Sequence, residues 1–235
     1  MTLLLVSPGN PSEATTAYEG GADIIDVKNP EEGSLGANFP WIISEIREAV
    51  PSEIPVSVAI GDFPYLPGSA SLATYGVIQA GADIVKVGIK GPEDKEEAVD
   101  LMEKVVKSAS EDYSKVVACG YGDYERAKTI DPMLVPEVAR ESGADIAMLD
   151  TAVKDGEPLT HFLDFEELEN FIRKSHSHGL EAALAGSLGF EEISKLKDLG
   201  PDVIGVRGAV CQNNNRREGK ISEESVRSLK ELLED

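Results

Sequence analysis

The stretch GGADIIDVK, residues 20–28, recurs along the chain and decides how the chain is read. It returns as AGADIVKVG at 80–88, as SGADIAMLD at 142–150 and, more weakly, as LGPDVIGVR at 199–207. The shared aspartates Asp23, Asp83, Asp145 and Asp202 are 60, 62 and 57 residues apart. Self-similarity at such a period marks one supersecondary unit used several times. Each copy follows a helical pattern, carries a glycine where a helix would end, and runs into a short apolar strand. Four further strand candidates lie between the copies: Leu3 to Ser7, Pro55 to Ala59, Lys115 to Gly120 and Ala182 to Ala185. Strands alternating with helices predict parallel pairing.

Eight such units in 235 residues predict an α/β fold, a single-domain (β/α)8 TIM barrel over residues 1–235. An open doubly wound sheet is the competitor, but no G-x-G-x-x-G follows any strand, which weakens a dinucleotide-binding reading. No linker or low-complexity segment interrupts the pattern. Residues 222–234 read as the last helix, with Ser222 as N-cap and Glu223 and Glu224 in its first turn.

With 41% hydrophobic residues the chain can bury one sizeable core. No apolar run approaches the ~20 residues of a membrane span. LLLV at 3–6 is short, has no basic lead-in and runs into Pro8, so it reads as a first strand and not a signal peptide. Cys119 and Cys211 form no disulfide framework and no metal-type spacing, which suits a reduced, cytoplasmic protein. A net charge of −21, from 43 acids against 22 bases, repels nucleic acid and anionic membrane, so neither is an expected partner.

Side chains alternate along a strand. Counting from each repeat aspartate, the even positions are Ile25, Val27, Val85, Val87, Ala147, Leu149, Ile204 and Val206, all apolar, as expected of residues packed under helices. The odd positions therefore point inward. The first of them holds Ile24, Ile84, Ile146 and Val203. The third holds Asp26, Lys86, Met148 and Gly205, and the fifth Lys28, Gly88, Asp150 and Arg207. An acid and an amine inside a buried strand are expensive unless paired or used. Here they converge at the carboxyl ends of the strands, where barrel enzymes place their sites. A buried ion-pair network that only fixes the fold is the plainer alternative.

The seventh strand candidate ends in AGSLG (185–189) and the eighth in VRGAV (206–210). Loops at these places form phosphate sites in barrels. Gly186, Ser187, Gly208 and Ala209 are expected to offer backbone donors to a phosphate, with Arg207 as a charged fork. Glycines that merely make turns are the alternative. The lysines point to carbonyl chemistry. A lysine attacks a carbonyl only when neutral, and burial beside a second cation lowers its pKa. Lys28 and Lys86 are placed to perturb one another, Asp26 and Asp150 to move protons or orient water, and Lys154 of TAVKDG to serve as a third amine or as a solvated loop lysine. Together these features imply imine chemistry on a small phosphorylated sugar. His161, His176 and His178 lack metal-site company and read as surface residues. Tyr121 and Asp123 of CGYGDY either line the mouth or make a turn, and NNNRRE (213–218) reads as a polar loop.

On these motifs the chain resembles a known family. DVKNPEEGSLGA, DIVKVGIKG, MLDTAVKDG, LAGSLG and GVRGAVC resemble the archaeal (5-formylfuran-3-yl)methyl phosphate synthases, also described as 4-(hydroxymethyl)-2-furancarboxaldehyde-phosphate synthases, of methanofuran biosynthesis. The resemblance covers essentially the whole chain. It implies a barrel lyase that joins two glyceraldehyde 3-phosphate molecules through a lysine Schiff base, with loss of phosphate and water. It casts Lys28 as the Schiff-base lysine, Lys86 as proton acceptor, and Asp26, Asp150 and Lys154 as supporting acid/base groups. An enamine formed on Lys28 would then attack the aldehyde of the second triose. No cofactor and no metal are expected, the partner is a small phosphorylated triose, and a homo-oligomer is the default for such a barrel. The rival readings are a class I aldolase or decarboxylase on another phosphosugar, and a metabolite-binding barrel without turnover. The Asp26-x-Lys28 spacing suits the first, although Glu31 makes an imperfect match to the acid such enzymes add.

Overall fold

A computed structural model describes residues 2–110, 114–216 and 218–234. Met1 and Asp235 of the expected domain, and Arg217 of NNNRRE, lie outside the described residues. The first half comprises β1 (Leu3–Val6), α1 (Pro11–Glu19), β2 (Ile24–Val27), α2 (Pro40–Ala49), β3 (Val56–Phe63), α3 (Pro67–Gln79), β4 (Ile84–Ile89) and α4 (Lys95–Ala109). The second comprises β5 (Lys115–Tyr121), α5 (Tyr124–Ala127), α6 (Val135–Ser142), β6 (Ile146–Asp150), α7 (Leu159–Phe162), α8 (Phe165–Ser177), β7 (Glu181–Leu184), α9 (Phe190–Leu196), β8 (Val203–Val206) and α10 (Glu223–Glu234). All strands pair in parallel, in chain order, and β1 closes the barrel against β8 through Leu3↔Val203 to Val6↔Val206. The chain is a TIM barrel.

The alternation read from the sequence sorts two apolar shells. Ile24, Ile84, Ile146 and Val203 lie inside the barrel with Leu5, Val117 and Ala183. Ile25, Val27, Val85, Val87, Ala147, Leu149, Ile204 and Val206 lie in the larger outer core beneath the helices. Both shells are needed, because a parallel sheet covered on both faces buries all its residues.

The repeat aspartates have one shared task. Asp23 accepts a hydrogen bond from the Leu4 amide (2.7 Å), Asp83 from Val56 (2.9 Å), Asp145 from Val116 (2.8 Å) and Asp202 from Ala182 (2.8 Å). In return each aspartate's own amide donates to the carbonyl of that same residue, at 2.9 to 3.0 Å. An amide near the start of each odd strand thus finds its acceptor in the carboxylate just before the next strand. This fixes the register of each odd–even strand pair four times over, which is why the motif repeats.

One strand departs from the expected pattern. β3 runs on to Phe63, and its pairing with β4 slips between Ala59 and Asp62. The extra residue sits where Gly61 takes φ +128, a conformation open to glycine. A bulge of one residue reverses the alternation beyond it, so Asp62 turns inward where an unbroken strand would aim it at the helices.

Among the described residues no helix is long and apolar enough to cross a membrane. The aspartate clamps predict that Asp23→Ala, which deletes the Leu4 bond and the contact to Lys230 at 2.9 Å, lowers folding stability by ~1–3 kcal/mol in denaturant titration. An unchanged midpoint would show that the clamp contributes nothing.

Candidate active site

Asp26 and Lys86 meet at the centre of the barrel. Both are buried, and the Lys86 ammonium lies 2.7 Å from each Asp26 oxygen. The hydroxyls of Ser7 and Ser57, on the neighbouring strands, donate to the same carboxylate at 2.9 Å. Burial alone would raise the Asp26 pKa; Lys86, Lys28 and these hydrogen bonds outweigh it and hold the carboxyl below the usual range. Such a pair is weak evidence of stabilisation for its own sake, since its desolvation rivals its attraction.

Asp150 and Lys154 make a second pair nearer solvent. Lys154 donates to Asp150 Oδ1 and to Thr151 Oγ1 (3.2 Å), and the Thr151 amide donates to Asp150 Oδ1 at 2.7 Å. Burial raises the Asp150 pKa, but Lys154, Lys28 and these bonds bring it down to about 2. Its other oxygen, Oδ2, is buried and has no hydrogen-bond partner among the described residues.

Lys28 stands between the two pairs. Two acids face three lysines here, and each acid already has a lysine of its own. Among the described residues no carboxylate forms an ion pair with Lys28. Burial, then the charge of Lys86, lowers its pKa; Asp150 and Asp26 oppose this, Lys154 adds to it, and the result is about 7 against an ordinary 10.5. At neutral pH a large share of this amine is uncharged and nucleophilic.

Lys28, Asp150 and Lys154 border a cavity of about 970 Å³, large enough for two small metabolites. Gly186, Ser187, Gly208 and Ala209, the expected phosphate donors, border the same cavity. Gly186 (φ 109) and Ser187 (φ 51) both adopt positive φ, so the chain turns sharply at the cavity border. Asp26 and Lys86 do not border the cavity; they lie behind Lys28.

Arg207 is tied to neighbouring protein groups. Although it borders the cavity, its guanidinium is committed to protein partners: Nη1 to Glu13 (2.9 Å) and the Ser7 carbonyl (2.6 Å), Nε to the Arg216 carbonyl (2.7 Å). These bonds, with Nη2 to Glu13 Oε1 at 3.5 Å, tie β8 to α1 and the β1 loop beside the cavity. NNNRRE also differs from a plain polar loop, since Asn213, Asn214, Asn215 and Arg216 border the cavity. Of the two readings of CGYGDY, neither residue is a bare turn: Tyr121 is fully buried, and Asp123 accepts from the amides of Ala152 (2.6 Å) and Val153 (2.9 Å), fixing the loop that carries Lys154. His176 pairs with Asp202 at 2.8 Å. Among the described residues no group of three or more His, Cys, Asp or Glu side chains is placed to hold a metal.

Sequence reasoning passed over Ser7, Ser57 and Asp62. The serines sit on the odd strands at inward parity, so extending the face count to those strands finds them. Asp62 is hidden by the bulge.

Comparison with known proteins gives the family. The sequence model of the 4-HFC-P synthase family matches residues 4–230. The chain is 52% identical to the (5-formylfuran-3-yl)methyl phosphate synthase of Methanothermobacter thermautotrophicus, covering 99% of both chains. It is 53% identical to the protein of that name from Methanococcus aeolicus, over 99% of this chain and 100% of the other. Among solved structures it is similar to 3-hexulose-6-phosphate synthase from Salmonella typhimurium, with a TM-score of 0.70, 20% identity and coverage of 99% and 98%. At that identity the likeness shows the barrel alone.

The Lys28 environment predicts a stability effect with a definite sign. The folded amine titrates near 7 and the unfolded one near 10.5. The folded state therefore binds fewer protons between these values, and the burial penalty is full below pH 7 and vanishes toward 10.5. Lys28→Met should raise stability by a few kcal/mol at or below neutrality, with the gain shrinking as pH rises to 10. Thermal denaturation across pH measures this; a destabilised Lys28→Met at pH 7 would contradict it.

Proposed function

Because the chain belongs to the 4-HFC-P synthase family, we propose that it condenses two glyceraldehyde 3-phosphate molecules into (5-formylfuran-3-yl)methyl phosphate through an imine on Lys28. The observation that carries this reading is the Lys28 amine, buried beside Lys86, titrating near 7 and bordering the cavity. The synthase role comes with the family; the substrate, the imine and the order of events are this proposal's own.

The reaction balances as two trioses giving one furan aldehyde, one phosphate and two waters. The neutral Lys28 amine attacks the aldehyde carbon of one triose, and water leaves as the imine forms. The imine withdraws electrons and acidifies the neighbouring C–H. The resemblance casts Lys86 as the acceptor of that proton; it lies behind Lys28, hydrogen-bonded to Asp26. The enamine carbon joins the second triose, and one phosphate departs by elimination. Ring closure releases the lysine, and dehydration gives the aromatic ring. Asp150 Oδ2, having no partner among the described residues, is the acceptor offered to substrate hydroxyls or to the departing water. The amides around Gly186, Ser187, Gly208 and Ala209 hold phosphate without adding charge, and Lys154 adds the cation at the edge. We further infer a cytoplasmic, homo-oligomeric enzyme that needs no cofactor.

Incubation with glyceraldehyde 3-phosphate alone should yield a product absorbing in the near ultraviolet, with one inorganic phosphate released per furan. Lys28→Arg keeps the charge but cannot form an imine, and should lose at least ~10³-fold in rate. A non-absorbing aldol product would favour the phosphosugar aldolase reading, and full activity of Lys28→Arg would remove the imine assignment.

A further inference from the structure

Among the described residues the cavity lies to one side of the barrel mouth. The cavity borders Lys28 and the ends of β6, β7 and β8; among its bordering residues none belongs to β3, β4 or β5. The segment between β2 and α2 occupies that other half. Its Leu35 is fully buried and belongs to the inner apolar cluster with Ala59, Cys119 and Met148, although it comes from a loop and not from a strand.

Specific bonds pin this segment. The amides of Ser34 and Leu35 donate to Asp62 Oδ2 (3.2 Å) and Oδ1 (3.3 Å). The Ser34 hydroxyl donates to the Thr151 carbonyl at 2.8 Å, one residue beyond Asp150. Asp62 is held in turn by the buried Tyr121 hydroxyl, which donates to Oδ1 at 2.5 Å. Tyr121 reaches it by crossing over β4 at Gly88. A Cβ at Gly88 would lie 2.0 Å from Tyr121 Oη, 3.0 Å from Asp62 Oδ1 and 3.1 Å from Leu35 Cδ1. The inward position that carries Lys28, Asp150 and Arg207 in the other repeats is thus emptied here to let the tyrosine pass, and the β3 bulge turns Asp62 to meet it.

We propose that residues 29–39 form a strap, with Leu35 as its plug and Asp62 and Tyr121 as its latch, that confines substrate to the β6–β8 side of the mouth and keeps water from the lysine cluster. Leu35, Asp62 and Tyr121 are positioning residues: they act through Lys28 and do not border the cavity. What the cluster does rests on the imine reading; the strap itself rests on packing and hydrogen bonds. The charged groups acting on Lys28 are Asp26 on its own strand, Lys86 on β4, and Asp150 and Lys154 from β6 and its following loop. The strap's own acids, Glu31 and Glu32, are exposed, so it acts on the amine by excluding water. Water admitted past a loosened strap stabilises the ammonium form and raises the pKa.

The test uses the full chain, with Tyr121→Phe, which deletes one oxygen, and Leu35→Ala, which deletes the plug. Hydrogen exchange reads the amides of 29–39, and pH-dependent acetylation by acetic anhydride with peptide mapping reads the Lys28 amine. Both variants should exchange the Ser34 and Leu35 amides about tenfold faster or more. In both, the acetylation midpoint of Lys28 should climb from about 7 toward the ordinary 10.5. A midpoint still near 7 in folded Tyr121→Phe overturns the proposal, even if exchange quickens, because the latch would then be only structural. Should Leu35→Ala fail to fold, Tyr121→Phe alone decides. Acetylation reports the amine whether or not it forms an imine, so failure of the imine reading leaves this result interpretable.

Discussion

The arrangement depends on an imbalance of charge in a space with little water. Asp26 takes Lys86, Asp150 takes Lys154, and Lys28 remains without a carboxylate of its own. Desolvation is the largest influence on it and Lys86 the next, so the amine sheds its proton more readily than an exposed lysine does. Asp26, satisfied by Lys86, Ser7 and Ser57, raises the Lys28 pKa less than Lys86 lowers it. The buried pair matters less for what it adds to stability than for what it withholds from Lys28.

The scaffold serves that imbalance. The four aspartate clamps lock the register of the odd–even strand pairs, and register decides which side chains face inward. A slip of one residue at β2 would send Asp26 and Lys28 beneath the helices and bring Val27 inside. The glycine turns after β7 and β8 then put Gly186, Ser187, Gly208 and Ala209 at the border of the cavity beside the amine. Arg207 and Glu13 complete this by joining β8 to α1, which closes the barrel at its last seam.

Most of this was legible in the sequence because the period-two alternation is strict on the even strands. Ile25, Val27, Val85 and Val87 are apolar without exception, so the odd positions had to be inside, and Asp26, Lys28, Lys86 and Asp150 followed. Three things were hidden for physical reasons. A bulge at Gly61 inverts parity, so Asp62 reads as outward from its count along the strand. Gly88 reads as an unremarkable strand glycine, because its reason, the Tyr121 hydroxyl passing over it, comes from a neighbouring strand. Arg207 reads as a charged fork for a phosphate, and its tie to Glu13, 194 residues earlier in the chain, leaves no local sign. Each is a long-range relation with no local signature.

The most direct test of the central claim is intact-mass spectrometry with peptide mapping after incubation with glyceraldehyde 3-phosphate and borohydride. The account predicts one reduced triose adduct, on Lys28, whose yield rises as pH passes upward through about 7. An adduct on Lys86 or Lys154 in its place, or none while the phosphosugar still binds, would contradict it and leave Lys28 with an electrostatic role.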